Sequence, residues 1–305
     1  MGTGDIHVVT GAFEYSGSYI ARRLLAAGHT VRTLTPVPPH GELAGVVEPF
    51  PMTFKEDDLL AAFAGAKALY NTYWIRYNRR GWTSQVQAVE NTLNMFRAAK
   101  KSGIERIVHV SITNPSPDSP YDYFRHKYTM EQGLIASGVS YAILRPALLF
   151  GGRDILVNNM AWVVRHMPVI GVFGRGRYRM RPIHVEDLAA LAVEQGARRE
   201  NAIIDAVGPE TFTYRGFFKE LCRILGKRRL VVPLPPRLAF ALVWLFGKIV
   251  HDTILTWQET AALMADLLCA ASPPAGATRL TDWAREHADT LGKHYASESA
   301  RRKSA

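Results

Sequence analysis

Tyr123 and Lys127, in the stretch Tyr123-Phe124-Arg125-His126-Lys127, stand four residues apart, so a helix would place them on one face. A phenol ordinarily ionises near pH ~10, too high for easy proton exchange at neutral pH. A neighbouring ammonium stabilises the phenolate and brings the phenol into range as a general acid or base. Twelve tyrosines and ten lysines in 305 residues predict about 0.4 such pairs by accident. Spacing alone therefore decides little, and a surface helix pair would show it equally. Position decides more: this is the only such pair in the chain, and it falls between the fifth and sixth strands described below. Ser111 ends the fifth of those strands and Thr113 follows two residues on. Either hydroxyl is placed to bond a substrate oxygen beside Tyr123, or simply to terminate a strand.

Residues 10–17 read TGAFEYSG, between the apolar run IHVV (6–9) and the amphipathic SYIARRLLAAGH. A strand, a small-residue turn and a helix start form a cradle for a dinucleotide diphosphate, because first-turn amides and the helix dipole both favour anions. Thr10, Gly11, Ala12, Phe13, Glu14, Tyr15, Ser16 and Gly17 are thus the residues expected around a cofactor. Glu14 occupies the place of the middle glycine. Pointing inward, its carboxylate would repel the diphosphate; turned to solvent it is screened by water, and that orientation is expected. NAD binders carry an acid at the end of the second strand and NADP binders an arginine nearby. The chain reads VRTLTPVPPH there, with no acid and with Arg32 close by, which favours NADP(H) over NAD(H). Lys127 then gains a second role, holding the nicotinamide ribose.

The elements that must position these groups alternate regularly. IHVVT (6–10), HTVRTLT (29–35), VVEPF (46–50), KALYNTY (67–73), RIVHVS (106–111) and SYAILRP (140–146) read as strands. IARRLLAAG (20–28), DLLAAFAGA (58–66), QVQAVENTLNMFRAAKKSG (85–103) and KYTMEQGLIASG (127–138) read as helices, several ending at a glycine. Strand–helix alternation with short links means a parallel sheet covered on both faces, an α/β fold of the doubly wound Rossmann type. Residues 1–150 are expected to form the nucleotide-binding domain, with NAIIDAV (201–207) as a later strand rejoining its sheet. Residues 151–305 are expected to form a smaller, mostly helical lobe for substrate, with helices near 155–167, 186–197 and 213–226.

The composition removes several classes. A 48% hydrophobic content excludes a disordered chain. Two cysteines, Cys222 and Cys269, each in an apolar helical pattern, argue against a disulfide framework and for a reducing cytoplasm. The net charge of +10 is scattered in short clusters, Arg79-Arg80, Arg175 to Arg181, Lys227 to Arg229 and Arg301-Arg302-Lys303, without a nucleic-acid motif, so no nucleic-acid partner is expected. The chain enters a strand almost at once, leaving no room for a signal peptide, and Ile6 stands where a myristoylation signal wants Ser or Thr. PLPPRLAFALVWLFGKIV (233–250) is uncharged from Leu238 to Phe246, too short for the ~20 residues a span needs. A buried or surface-docked helix is expected there, with peripheral membrane contact as the alternative. No GxSxG elbow is present, and His126 and His184 lack partners at metal-ligand spacing, so neither a serine hydrolase nor a metal site is expected.

TGAFEYSGSYIARRLL, YFRHK, ILRPALLFG and RPIHVEDLA, in that order, resemble the extended and atypical short-chain dehydrogenase/reductases, the NAD-dependent epimerase/dehydratase superfamily. The resemblance covers roughly residues 5–210. The run DWAREHADTLGKHYASE is similar to the C-terminus of a bacterial branch of that superfamily, itself similar to NmrA-like proteins and to the nucleotide-binding accessory subunit of respiratory complex I. The resemblance implies Tyr123 and Lys127 as a catalytic pair, Ser111 or Thr113 as third hydroxyl, and the glycine turn as cofactor site. It departs from the pattern at Glu14, at Thr53 where relatives carry an adenine-proximal Asp, and at Pro36 where NADP binders often have Arg. The function so implied is an NAD(P)-dependent oxidoreductase or epimerase acting on a carbonyl/alcohol pair through a Tyr-Lys proton relay. The alternative is a non-catalytic NADP(H)-binding sensor or structural subunit. A small-molecule substrate is expected, with Asn158, Asn159, Trp162, Arg179 and Arg181 as binding candidates, in a monomer or homodimer.

Overall fold

The computed structural model describes residues 4–75 and 84–297; the Arg79-Arg80 and Arg301-Arg302-Lys303 clusters and Gly2 lie outside them. In chain order the first elements are β1 (Ile6–Thr10), α1 (Tyr15–Ala26), β2 (Thr30–Thr35), β3 (Glu48–Pro51), α2 (Glu56–Phe63), β4 (Ala66–Asn71), α3 (Gln85–Lys101), β5 (Arg106–Val110), α4 (Asp122–Ser137) and β6 (Ser140–Leu144). There follow β7 (Leu148–Phe150), α5 (Leu156–His166), β8 (Val169–Phe173), β9 (Arg179–Met180), β10 (Pro182–His184), α6 (Val185–Ala197) and β11 (Ala202–Ile204). The last are β12 (Phe212–Thr213), α7 (Tyr214–Ile224), β13 (Leu230–Leu234), α8 (Pro236–Ile249), α9 (Trp257–Met264) and α10 (Leu280–Glu286). The chain divides into one unit of residues 1–146 and 185–205 and a second of 147–184 and 206–305.

Seven strands of the first unit form one sheet in the order β11-β6-β5-β4-β1-β2-β3, every neighbouring pair parallel. β-branched runs such as Ile107-Val108 are buried on both faces, which is why they read as continuous apolar segments. Helix ends follow local chemistry. Ser84 accepts from the Gln87 amide at 3.0 Å to start α3. Gly138, at φ 75°, ends α4. The core gathers Val8, Leu34, Phe63, Leu69, Phe96, Ile107, Leu134 and Ile143. Arg106, 3% exposed, fastens the returning segment to the sheet: it donates to the carbonyls of Gln195 (2.6 Å) and Glu200 (2.9 Å) and to Ser140 Oγ (2.6 Å). Strand order reverses direction between β1 and β4, and ligands of such sheets bind beyond the strand C-termini at that switch point.

The second unit is built from helices and three two-stranded pairs, β10-β7, β12-β9 and β13-β8. Phe150, Val157, Phe173, Phe217, Leu221 and Trp283 centre its core. Glu210 accepts from the Thr281 amide (2.9 Å) and hydroxyl (2.7 Å), anchoring the start of α10. Among the described residues no helix is long and apolar enough to cross a membrane.

Candidate functional site

Thr10 closes β1 and is fully buried. Gly11 follows at φ 67°, a left-handed conformation that glycine adopts freely, and its amide donates to the Leu34 carbonyl at 2.9 Å. Gly17, in the first turn of α1, rests on that turn so closely that a Cβ would lie 2.2 Å from the Gly11 carbonyl oxygen. The helix start can therefore reach the end of β1 only with glycine at position 17. Ala12 and Phe13 are buried; the Ala12 amide donates to Thr33 Oγ1 at 3.0 Å, and the Phe13 ring lies 5.6 Å from that of His40. Tyr15 and Ser16 are half-buried in the first turn of α1.

Glu14 stands at the N-cap position of α1 and its side chain makes no capping bond. It is exposed, yet it folds back over the turn: its Cδ lies 3.5 Å from where a Gly11 Cβ would be. Its charge also reaches Tyr73, just beyond β4, whose phenol is pushed up mainly by burial and further by Glu14, against a lowering hydrogen bond from Asn91. The carboxylate thus leans along the switch point towards β4.

Arg32 is directed elsewhere. It is ion-paired with Glu48 at 2.9 Å and donates to the carbonyls of Ala62 (3.3 Å) and Ala64 (2.7 Å) at the end of α2. Its position inside β2, three residues before the strand's end, directs it to α2. Thr53 is likewise engaged, bonded to Asp58.

A hydrogen-bonded chain runs beneath the strand ends. Thr10 Oγ1 receives the Thr72 amide (2.7 Å) and donates to Asn71 Oδ1 (3.3 Å). Asn71 Nδ2 meets His109 Nδ1 at 3.0 Å. His109 is fully buried, and burial first, then the charge of Lys127, holds its imidazole well below the ordinary range. Lys127, one turn after Tyr123 on α4, is 2% exposed and donates to the Val110 carbonyl at 3.0 Å, at the end of β5. Burial pushes the ammonium down to about 7, with Glu131 opposing. Glu131 is itself fully buried and forked by Arg145 at 3.0 and 2.5 Å.

Trp74 joins the pair. Its ring lies 4.7 Å from Lys127 Nζ and, edge to face, 5.2 Å from the Tyr123 ring. Ser111 is 3% exposed, and its hydroxyl has no hydrogen-bond partner among the described residues; the same holds for Trp74 Nε1 and His109 Nε2. Thr113 is fully buried, with its amide on the Pro146 carbonyl at 3.1 Å. Buried donors without partners are costly unless something else satisfies them. A glycine turn at the start of α1, with the Glu14 side chain folded over it, and such donors across the switch point fit a dinucleotide.

Asn71, His109 and Trp74 were not singled out from sequence. Their one signal was position, at the C-terminal ends of the fourth and fifth strands. The five substrate candidates prove to be tied up inside the second unit. Asn158 Nδ2 donates to the His294 carbonyl (2.9 Å), and Asn159 Nδ2 to that of Ala296 (2.8 Å). Trp162 stacks on His166 at 4.4 Å. Arg179 pairs with Asp266 at 3.8 Å, and Arg181 donates to the Gly208 carbonyl at 2.8 Å. These contacts hold residues 292–296 and neighbouring loops.

At the opposite end of β1 the ligand atoms of Asp5, His7 and His29 lie within 4.8 Å of one another. There Lys67 holds Asp5 at 2.7 Å, and burial pushes His7 down to about 4.

Comparison with known proteins agrees with this geometry. The family model described as NAD(P)H-binding matches residues 11–167. The chain is 25% identical over 252 residues to the mitochondrial NADH dehydrogenase [ubiquinone] 1 alpha subcomplex subunit 9 of Arabidopsis thaliana, covering 79% of this chain and 63% of that one. The chain thus spans under two thirds of that relative's length. Among solved structures, the Citrobacter sp. triphenylmethane reductase superposes with a TM-score of 0.74 at 18% identity, over 94% of this chain and all of the other. The NADPH-dependent quinone oxidoreductase of Escherichia coli, complexed with NADPH, gives 0.74 at 18% identity, over 92% and 99%. The glycine turn, the all-parallel sheet and the matched half of the sequence place this chain in the NAD(P)H-binding family, with a short-chain dehydrogenase/reductase-type fold.

Proposed function

We propose that the chain is an NADP(H)-dependent oxidoreductase acting on a carbonyl/alcohol pair. Tyr123 exchanges the proton at the substrate oxygen, Lys127 supports the phenolate and holds the nicotinamide ribose, and Ser111 or Thr113 orients the substrate. The observation that carries this reading is the desolvated Lys127, bonded to the Val110 carbonyl, with the Ser111 hydroxyl one residue on and without a partner among the described residues. Bound cofactor supplies the hydride. Burial pushes the amine down to about 7, and negative charge growing on the phenol favours its charged form. Trp74 and Tyr123 give the site an aromatic wall suited to flat, conjugated acceptors. The names quinone oxidoreductase and triphenylmethane reductase, borne by two structural neighbours, are of that kind. Preference for the phosphorylated cofactor rests on the missing acid after β2, since Arg32 is engaged elsewhere. Neither Cys222 nor Cys269 forms a disulfide among the described residues, in keeping with a cytoplasmic protein.

The test is NADPH oxidation across a panel of quinones, triarylmethane dyes and simple carbonyls. Turnover lost in Tyr123→Phe with the cofactor Kd unchanged supports the relay, and undiminished turnover overturns it. A hydride-retaining epimerase would interconvert sugar-nucleotide epimers without net oxidation.

Glu14 in the turn and Trp74 upon Lys127 favour a second reading, a protein that retains NADP(H) without turnover as a sensor or structural subunit. The complex I subunit among its relatives is consistent with that role. Tight binding with no oxidation across the panel would select it.

A further inference from the structure

Helix α8 turns an apolar row to solvent. Leu238, Leu242, Leu245 and Ile249 recur at intervals of four, three and four, one line along the helix, and are 49, 50, 54 and 67% exposed. The opposite side is accounted for: Ala239 and Gly247 are buried, Phe240 and Val243 pack on the core of the second unit, and the Phe246 ring meets Trp162 at 5.6 Å. Six of the eleven large apolar side chains exposed in the described residues fall between Leu238 and Trp257, so this is a patch rather than scatter.

Its surroundings identify the occupant. Trp244 flanks the row, with Lys248 Nζ 5.2 Å from its ring centre. Arg237 stands at the other end, and Pro236–Ile249 contains no acidic residue. Earlier in the sequence of the same unit, Lys219, Lys227, Arg228 and Arg229 line a shallow basic hollow of about 480 Å³ that includes no residue of α8. Aliphatic side chains in a row, tryptophan at their border and cations beside it match acyl chains beneath anionic headgroups.

We propose that α8 lies in the surface of an anionic bilayer, its leucine row among the upper acyl chains and Arg237 and Lys248 among the headgroups. The inference is independent of the catalytic reading. Full-length protein is sedimented with phosphatidylcholine vesicles containing one third phosphatidylglycerol, and with phosphatidylcholine alone. Binding to the anionic vesicles is expected, weaker on the neutral ones. Each half-exposed leucine forfeits about half its full burial energy, so Leu242→Glu/Leu245→Glu should bind on the order of thirtyfold more weakly at an unchanged melting temperature. Arg237→Glu/Lys248→Glu should erase the preference for anionic lipid. No sedimentation of the wild type, or equal sedimentation of the leucine variant, overturns the proposal. So does a wild-type dimer in solution that the leucine variant converts to monomer, which would make a second copy the occupant.

Discussion

Lys127→Met isolates the energetic consequence of a buried ammonium. Its displacement from 10.5 to about 7 corresponds to a folding penalty on the order of 5 kcal/mol. That net penalty already contains the bond to the Val110 carbonyl and the contact with the Trp74 ring, both of which favour the charged form. Methionine fills nearly the same space without charge, so the variant should be the more stable protein below about pH 7. The sign of the pH dependence follows from the direction of the shift. Because the folded-state value is depressed, the unfolded chain binds the extra proton. The penalty is full below about pH 7 and fades as pH rises towards 10.5. Urea unfolding at about pH 6 and about pH 9 should show the variant's advantage at the lower pH shrinking or reversing at the higher. Turnover should be lost throughout. A stability difference independent of pH, or a variant several kcal/mol weaker at the lower pH, would mean that Lys127 is solvated and its environment misread.

Glu14→Gly should tighten NADPH binding about fivefold at low salt, the worth of one screened charge near a diphosphate, with the gain shrinking as salt rises. Unchanged affinity would place the carboxylate away from the phosphates. Ser111→Ala removes a buried hydroxyl that has no partner among the described residues, so thermal unfolding should show no loss of stability while kcat falls at least tenfold. Trp74→Ala uncovers the Lys127 ammonium and should tighten cofactor binding by a factor on the order of five. In Lys127→Met the same substitution should bring no gain, a coupling read by a double-mutant cycle.

The sheet was legible because strands covered on both faces read as unbroken apolar runs; Ile6–Thr10 and Arg106–Val110 lie where the pattern put them, to within a residue. That Tyr123 and Lys127 share one helix was legible through their spacing. Trp74 was not, because what matters about it is contact with residues some fifty positions away. Asn71 and His109, 38 residues apart, are joined in the same way only by the pairing of β4 with β5. The partners of Arg32 were not legible, because residue type carries no information about which face of β2 it occupies. Asn158 and Asn159 looked like ligand groups because polar side chains on an amphipathic helix could equally serve a pocket or another part of the chain, here residues 292–296. The two- and three-residue strands of the second unit, such as Phe212–Thr213, are too short to show any periodicity.

Titration of the purified protein with NADPH, followed by nicotinamide fluorescence, bears most directly on the grip of the glycine turn. Saturation at one cofactor per chain in the micromolar range is expected. Gly17→Ala, whose methyl group would collide with the Gly11 carbonyl, should abolish it. No saturable signal at millimolar NADPH or NADH, or full binding by Gly17→Ala, would show that the turn at the end of β1 holds no dinucleotide.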